Sequence, residues 1–153
     1  MNKPSIPLWE ELPDLDLYLD QVLLYINQIN QQVFTSLDKP LTSSMINNYV
    51  KHGYIQKPVK KKYNQAQLAR LLALTILKQV FPIPDIAETI ELLLETRTSQ
   101  ELYDEFATCM NQHSKSEAHP AIQSACQTVQ LFHQTRIISL TLKGDSHETS
   151  PQT

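Results

Sequence analysis

The amino-acid sequence predicts a mainly α-helical protein with one hydrophobic core and a helical extension. The chain has 153 residues but only two glycines, whereas average usage of about 7% would give roughly eleven. An all-β chain of this length needs more glycine for its turns. The length itself is close to that of one typical domain.

The first two helices follow an N-terminal arm. Residues 1–13 contain three prolines and should be extended. Asp14 is the predicted N-cap of the first helix, because apolar residues recur after it at helical spacing from Leu15 to Val33. A short turn should follow. Thr42 or Ser43 then caps a short second helix, which ends at its C′ glycine, Gly53.

The segment after Gly53 predicts a small β-hairpin, or wing. Residues 54–63, YIQKPVKKKY, include a proline and have apolar or aromatic residues at both ends. Asn64 is the predicted N-cap of a third helix that ends before Pro82. A fourth helix follows with Pro84 in its first turn, where the missing N–H of proline has no intrahelical partner to lose.

Two more helices are predicted after Arg97. Thr98-Ser99-Gln100-Glu101 has the spacing of a capping box and opens the fifth helix. The sixth helix is predicted from about His119 to Ile138, after a polar break. Residues 143–153 have little to bury and should be disordered.

Charge is distributed unevenly along the chain. All 16 acidic residues lie outside positions 39–84, whereas eight of the 13 basic residues lie inside this window. The window therefore carries a charge of +8 and the remainder −11. This separation favours a polyanionic partner for the window. The basic residues of the window are Lys39, Lys51, Lys57, Lys60, Lys61, Lys62, Arg70 and Lys78.

Two consecutive helices, the second short and ended by glycine, followed by a basic hairpin, are typical of a winged helix-turn-helix. The second helix would fit the major groove of DNA, where its serines and asparagines can hydrogen-bond to bases or phosphates. The lysines of the wing would contact phosphates. The candidate residues from this pattern are Ser43, Ser44, Asn47, Asn48, Lys57, Lys60, Lys61 and Lys62.

Three candidates have a structural alternative. Tyr49 and Tyr63 could touch phosphates, but Tyr63 could equally pack the wing onto the third helix. Asn48 could contact adenine, or it could cap or solvate the end of its helix. The lysine cluster could also be an ordinary solvated loop tip.

The sequence resembles a known family over about residues 15–95. The stretch 41–55, LTSSMINNYVKHGYI, is similar to the recognition helix of MerR-type regulators, whose pattern runs V-S-x-x-T-I-R-Y-Y-E-x-x-G-L-I. The resemblance is closer to a small bacterial family of uncharacterised proteins with a MerR-like domain, in which M-I-N-N-Y-V-K-x-G-x-I and P-x-K-K-x-Y recur. It implies DNA binding through Ser44, Asn47, Asn48, Tyr49, Lys51 and the wing lysines.

The sequence also departs from the MerR pattern. Asn47 stands where MerR-type regulators have an arginine, so the phosphate contact of that arginine would have to come from elsewhere, with Lys51 as a candidate. The long dimerisation helix and effector pocket of those regulators are not evident in the sequence. Promoter untwisting by a MerR dimer is therefore not carried over.

The expected organisation is an extended arm (1–13), a MerR-like winged helix-turn-helix domain (14–96), a C-terminal helical extension (97–142) and a disordered tail (143–153). The expected function is sequence-specific binding of double-stranded DNA by a transcriptional regulator. The alternative is a protein–protein interaction module that retains the winged fold without reading DNA. The C-terminal helices could form a homodimer or sense a ligand.

Catalysis, cofactors and metals are not expected. The sequence has no nucleophile elbow, glycine-rich phosphate loop or paired-carboxylate signal. Cys109, His113, Cys126 and His133 could bind a soft metal, but their intervals match no standard zinc module. Two cysteines, no signal peptide and no long apolar run predict a cytoplasmic location without a membrane anchor.

Overall fold

The computed structural model of the chain describes residues 5–34, 39–112 and 117–149, the last five of these through their backbone alone. Six α-helices make up most of the described chain, which confirms the mainly helical prediction. They are α1 (Leu19–Val33), α2 (Ser43–Lys51), α3 (Gln65–Leu77), α4 (Ile83–Leu93), α5 (Ser99–Asn111) and α6 (Pro120–Thr149). Two short strands, β1 (Leu17–Tyr18) and β2 (Lys62–Tyr63), and a 3-10 turn at Trp9–Glu11 complete the fold.

Helix α3 is the centre of the molecule. Most of its residues are buried, and α1, α4, α5 and α6 all pack against it. One continuous hydrophobic core extends from Ile6 to Val129. The predicted boundary at residue 97 therefore does not separate two cores, because α5 and α6 share the core of the preceding helices.

Three of the predicted helix caps are confirmed. The Thr42 hydroxyl accepts a hydrogen bond from the Met45 N–H (3.3 Å), and the Asn64 side chain accepts one from the Gln67 N–H (2.9 Å). The capping box of α5 is complete, since Thr98 accepts from Glu101 N–H and the Glu101 carboxylate accepts from Thr98 N–H. These polar side chains satisfy backbone groups that the first turn of a helix leaves unpaired.

The predicted start of the first helix is wrong. Asp14 caps no helix, and Leu15 is 74% exposed instead of lying on the buried face. The chain first forms β1, which pairs with β2 so that Leu17 lies opposite Tyr63 and Tyr18 opposite Lys62. Helix α1 begins only at Leu19 because the preceding residues are held in this small antiparallel sheet.

The described part of the N-terminal arm, residues 5–13, packs against α5 and α3. Asn111 forms reciprocal hydrogen bonds with the backbone of Ile6, accepting from its N–H (2.8 Å) and donating to its carbonyl (2.9 Å). The Tyr103 hydroxyl donates to the Pro7 carbonyl, and Asp104 accepts from the Trp9 N–H. The extended arm is therefore part of the folded body.

Helix α6 is longer than predicted. It continues from Pro120 to Thr149, past the predicted boundary of the disordered tail at residue 143, and residues 150–153 lie outside the described part of the chain. Residues 137–144 are all exposed. An α-helix satisfies its own backbone hydrogen bonds, so this segment remains helical without burying a face.

Candidate nucleic-acid interface

One face of α2 is polar and exposed. Its five candidate residues are all exposed, whereas Ile46 and Tyr49 are buried against the core. Ser44, Asn47 or Asn48, and Lys51 follow the three- to four-residue repeat of one helical face. The sequence correctly placed these polar side chains on the outside: Ser43, Ser44, Asn47, Asn48 and Lys51.

Helix α2 is fixed in position by α1. The Asn27 side chain accepts a hydrogen bond from the Leu41 N–H (2.8 Å) and donates one to the Leu41 carbonyl (3.0 Å). Ile46 packs beneath the helix with its side chain fully buried. The link from α1 to α2 spans residues 34–42, of which 35–38 are not described, and is longer than the turn of about three or four residues in a typical helix-turn-helix.

The end of α2 is a complete Schellman motif. Gly53 has a left-handed backbone with φ of 76°. Its N–H donates to the Val50 carbonyl (3.1 Å), and the Tyr54 N–H donates to the Tyr49 carbonyl (2.9 Å). This is the bonding pattern of a C′ glycine, so the predicted role of Gly53 is confirmed.

The tip of the wing is a two-residue hairpin turn made of lysines. Val59 and Lys62 exchange two backbone hydrogen bonds of 3.0 and 2.9 Å around Lys60 and Lys61. Both central lysines have positive φ, 52° and 66°. Positive φ at both central residues defines a type I′ turn, where asparagine and glycine are the preferred residues.

The base of the wing is attached to α3. The Gln67 side-chain amide donates to the carbonyls of Gln56 (2.9 Å) and Lys57 (3.1 Å). The Lys62 Nζ lies 5.1 Å from the centre of the Tyr18 ring, in cation–π geometry. Lys57, Lys60 and Lys61 are exposed, so the wing presents a cluster of ammonium groups on an anchored frame.

Tyr49 and Tyr63 are too deeply buried to contact DNA. Their exposed fractions are 4% and 3%, and burial raises the pKa of both phenols. Tyr63 is buried, as expected from the alternative role of packing the wing onto the rest of the fold. The Tyr49 hydroxyl lies 3.3 Å from Lys78 Nζ, inside the molecule. The proposed phosphate contacts of these two residues are corrected, because packing takes both rings into the core.

Lys39 and Lys78 were counted in the basic window but not assigned to the site. Lys78 lies behind α2, with its Nζ 6.0 Å from the centre of the Tyr49 ring. Burial lowers the pKa of Lys78, and the positive charge of Lys39 lowers it further. The only sequence signal for these two lysines was the absence of acids around them.

The lysines of the basic window are not neutralised inside the described chain. None of the seven forms an ion pair with a described acid. Arg70 differs from them, because its Nη1 lies 2.7 Å from Glu91 Oε1 on α4 and its Nε donates to the Tyr54 carbonyl (2.7 Å). Arg70 therefore acts within the fold, and the lysines carry the excess charge.

The residues considered for metal binding do not form a described metal site. Cys109 and Cys126 are buried free thiols, and burial raises the pKa of Cys126. His133 is buried and stacks on the Phe34 ring, with ring centres 4.4 Å apart. His113 lies outside the described residues. Across residues 5–34, 39–112 and 117–149, no three His, Cys, Asp or Glu side chains are grouped as metal ligands.

The fold and this surface define a small, mainly helical protein with a lysine-tipped hairpin beside an exposed polar helix. The chain belongs to the family described as Domain of unknown function (DUF1836), whose model matches residues 7–106. No curated protein and no solved structure matches it significantly. The resemblance to MerR-type regulators stays a prediction. Of the helices described, none is both long enough and apolar enough to cross a membrane.

Proposed function

We propose that the chain is a cytoplasmic, sequence-specific DNA-binding protein that acts as a transcriptional regulator. In this proposal α2 enters the major groove of double-stranded DNA, and the wing of residues 54–63 contacts the sugar-phosphate backbone. The winged helix-turn-helix assignment is part of the same proposal. The observation that carries it is the pair of lysines at the left-handed hairpin tip.

The hairpin tip supports a role for charge. A residue with a Cβ in left-handed backbone costs roughly 1–2 kcal/mol, and Lys60 and Lys61 both have this conformation. Asparagine followed by glycine would form the same turn without this strain. Strained backbone concentrates at functional sites, where another requirement outweighs it. Two adjacent exposed ammonium groups at a tip meet the requirement of phosphate binding.

The polar face of α2 supports base contacts. Asn47 and Asn48 carry amide groups that can pair with the N6 and N7 atoms of adenine, and Ser43 and Ser44 can donate or accept hydrogen bonds. Lys51 lies at the end of the same helix. All of these side chains are exposed, so none has to leave the core to reach DNA.

The distance between the two surfaces fits one stretch of duplex. Nine peptide units separate Lys51 from Lys60, so their Cα atoms are at most about 32 Å apart. One turn of B-DNA is about 34 Å. Helix and wing can therefore contact the same turn.

The test is a salt series of DNA binding. Duplexes selected from a random library are titrated with the chain and with the triple variant Lys57→Ala, Lys60→Ala, Lys61→Ala. Each lost phosphate contact should make the negative slope of log K against log salt shallower by about 0.9, and should lower the affinity at 0.1 M salt about eightfold. The matched control replaces the same three lysines by arginine, which keeps the charge and should retain binding.

Two further variants test a lysine outside the proposed interface and a proposed base contact within it. Lys143→Ala removes an exposed lysine of α6 and should leave the affinity unchanged. Asn47→Ala should weaken binding to the selected sequence more than to random duplex, because a base contact carries sequence information and a phosphate contact does not. If the triple alanine variant binds every duplex as tightly as the parent chain, DNA binding through the wing is refuted.

A homodimer through the C-terminal helices is proposed from the exposed side of α6. Large apolar side chains on α6 are exposed and are not covered by other described residues, although such side chains are usually buried. Ile138→Glu with Leu142→Glu should abolish self-association in sedimentation equilibrium, whereas Ser139→Glu with Lys143→Glu, two exposed positions off the face of Ile138 and Leu142, should have little effect. A parent chain that stays monomeric contradicts the dimer. The exposed residues are Leu131, Ile137, Ile138, Leu140 and Leu142.

The same apolar surface favours the alternative function of a protein-interaction module without DNA readout. In that case the purified chain binds no duplex even at low salt, and neither the alanine nor the arginine variant of the wing differs from the parent. The salt series therefore separates the two functions directly.

A further inference from the structure

An apolar groove lies between α4 on one side and α5 and α6 on the other. Its floor is the surface of α3, where Ala66, Ala69 and Ala73 leave room, and its walls include Ile90 of α4 and Phe106 of α5. Its volume is about 320 Å³. The groove is separate from the polar face of α2 and from the wing, since no residue of either surface lines it.

The groove exists because α4 does not close onto the C-terminal helices. Helix α4 packs on α3, whereas α5 packs on both α3 and α6. The inner side chains of α4 therefore line the groove, together with Phe106 of α5 and Ala125 of α6. Protein interiors contain few voids larger than a water molecule, so an apolar gap of this size is suited to an apolar occupant.

The size of the groove fits a small molecule. An engineered apolar cavity of about 150 Å³ stays dry and binds benzene. A volume of 320 Å³ is about twice as large and accommodates roughly twelve non-hydrogen atoms.

The charged residues at the rim of the groove indicate where the polar end of the bound small molecule lies. Arg70 lines the groove, and its side chain is 19% exposed, whereas its ion-pair partner Glu91 is 65% exposed. An exposed partner is held weakly, and a guanidinium has five donors in a planar fork that fits a carboxylate. Asp85, which also lines the groove, would repel a carboxylate and so direct it toward Arg70.

We propose that this groove binds one medium-chain carboxylic acid of about ten carbons, with its carboxylate on Arg70 and its alkyl chain between α4 and the α5–α6 pair. We further infer that this binding weakens the association with DNA. The second part rests on the proposed function, whereas the first does not.

Arg70 provides the connection between the groove and α2. Its Nε donates a hydrogen bond to the carbonyl of Tyr54, and the N–H of Tyr54 completes the Schellman motif at the end of α2. A carboxylate that draws the guanidinium into the groove removes a hydrogen bond from this carbonyl. The orientation of the α2 end relative to the wing is then less restrained.

The fluorescence of Trp9 tests the site without DNA. Trp9 is the one tryptophan of the chain and lines the groove. Titration with decanoate should give a saturable one-to-one change in its emission. Decanol has the same chain length without the charge and should bind about tenfold more weakly, because a charge-assisted hydrogen bond is lost.

Variants that fill the groove or remove its charge complete the test. Ala125→Leu should abolish the decanoate signal, and Ala73→Leu repeats this from the floor of the groove if the first variant fails to fold by circular dichroism. Arg70→Gln should bind decanoate as weakly as decanol. No saturable change, or an unchanged response in both folded leucine variants, overturns the site, and equal affinity for decanoate and decanol overturns the role of Arg70.

The link to DNA is measured separately. Saturating decanoate should lower the affinity of the chain for its selected duplex about fivefold or more, and should not do so in Arg70→Gln. An unchanged affinity overturns the coupling while leaving the groove intact. If the chain binds no duplex at all, the proposed function fails, and the fluorescence titration still decides whether the groove binds the acid.

Discussion

The turn before the wing and the turn at its tip both require a left-handed backbone but use different residues. At the end of α2 the left-handed position is Gly53, with φ of 76°. At the hairpin tip the left-handed positions are Lys60 and Lys61, with φ of 52° and 66°. The first turn has the residue that the backbone prefers, and the second has residues that the backbone disfavours.

The difference shows what each turn is for. A Cβ added at Gly53 would meet no atom within 4 Å, so only the backbone conformation requires glycine there. Its task is to end the helix. The tip of the wing keeps two strained lysines, so a requirement other than stability determines its sequence. Under the proposed function that requirement is contact with phosphates.

The largest expected effect on stability comes from Gly53. Gly53→Ala should lower the free energy of unfolding by about 1–2 kcal/mol, because alanine in left-handed backbone is strained while no steric contact opposes its methyl group. Urea unfolding followed by circular dichroism measures the change. Gly53→Asn is the control and should lose less, since asparagine tolerates this conformation better. An alanine variant as stable as the parent would remove the contrast between the two turns.

A smaller effect of opposite sign is expected at the hairpin tip. Lys60→Asn with Lys61→Gly should raise the free energy of unfolding by about 1 kcal/mol, because relief of strain exceeds the entropy cost of one glycine. The same variant should bind DNA more weakly, like the alanine variant of the wing. Parallel urea unfolding and salt series measure both quantities. A gain in stability without loss of DNA binding would show that the two lysines do not serve an interface.

Local signals were enough to predict α2 and its ends. The Thr42 cap forms within one turn, and the Gly53 motif bonds only to residues a few positions earlier. The exposed polar face followed from residue type alone. The start of α1 was not predictable in this way, because β1 exists only through its pairing with Lys62 and Tyr63, far along the chain. A strand of two residues has no periodicity of its own to detect.

The errors in the site have the same origin. Tyr49 and Tyr63 are aromatic residues beside polar ones, and residue type does not determine whether such a ring is buried or exposed. Packing against α3 and the neighbouring elements determines it. The groove was also beyond sequence analysis, since it depends on the distance between α4 and the α5–α6 pair, and apolar periodicity only showed that each helix has a buried face.

The N-terminal arm has a consequence for how the sequence can vary. Four side chains hydrogen-bond to main-chain atoms of the arm: Tyr103 and Gln65 donate, Asp104 accepts, and Asn111 does both. Main-chain atoms are the same for almost every residue, so exposed arm positions such as Glu10 are free to change. The four side chains on the helices that hold the arm are not free to change, because each of them is a specific donor or acceptor. Mutational tolerance should therefore be high at the exposed positions of the arm, and low at its buried residues Ile6 and Leu12 and on the surface that receives the arm.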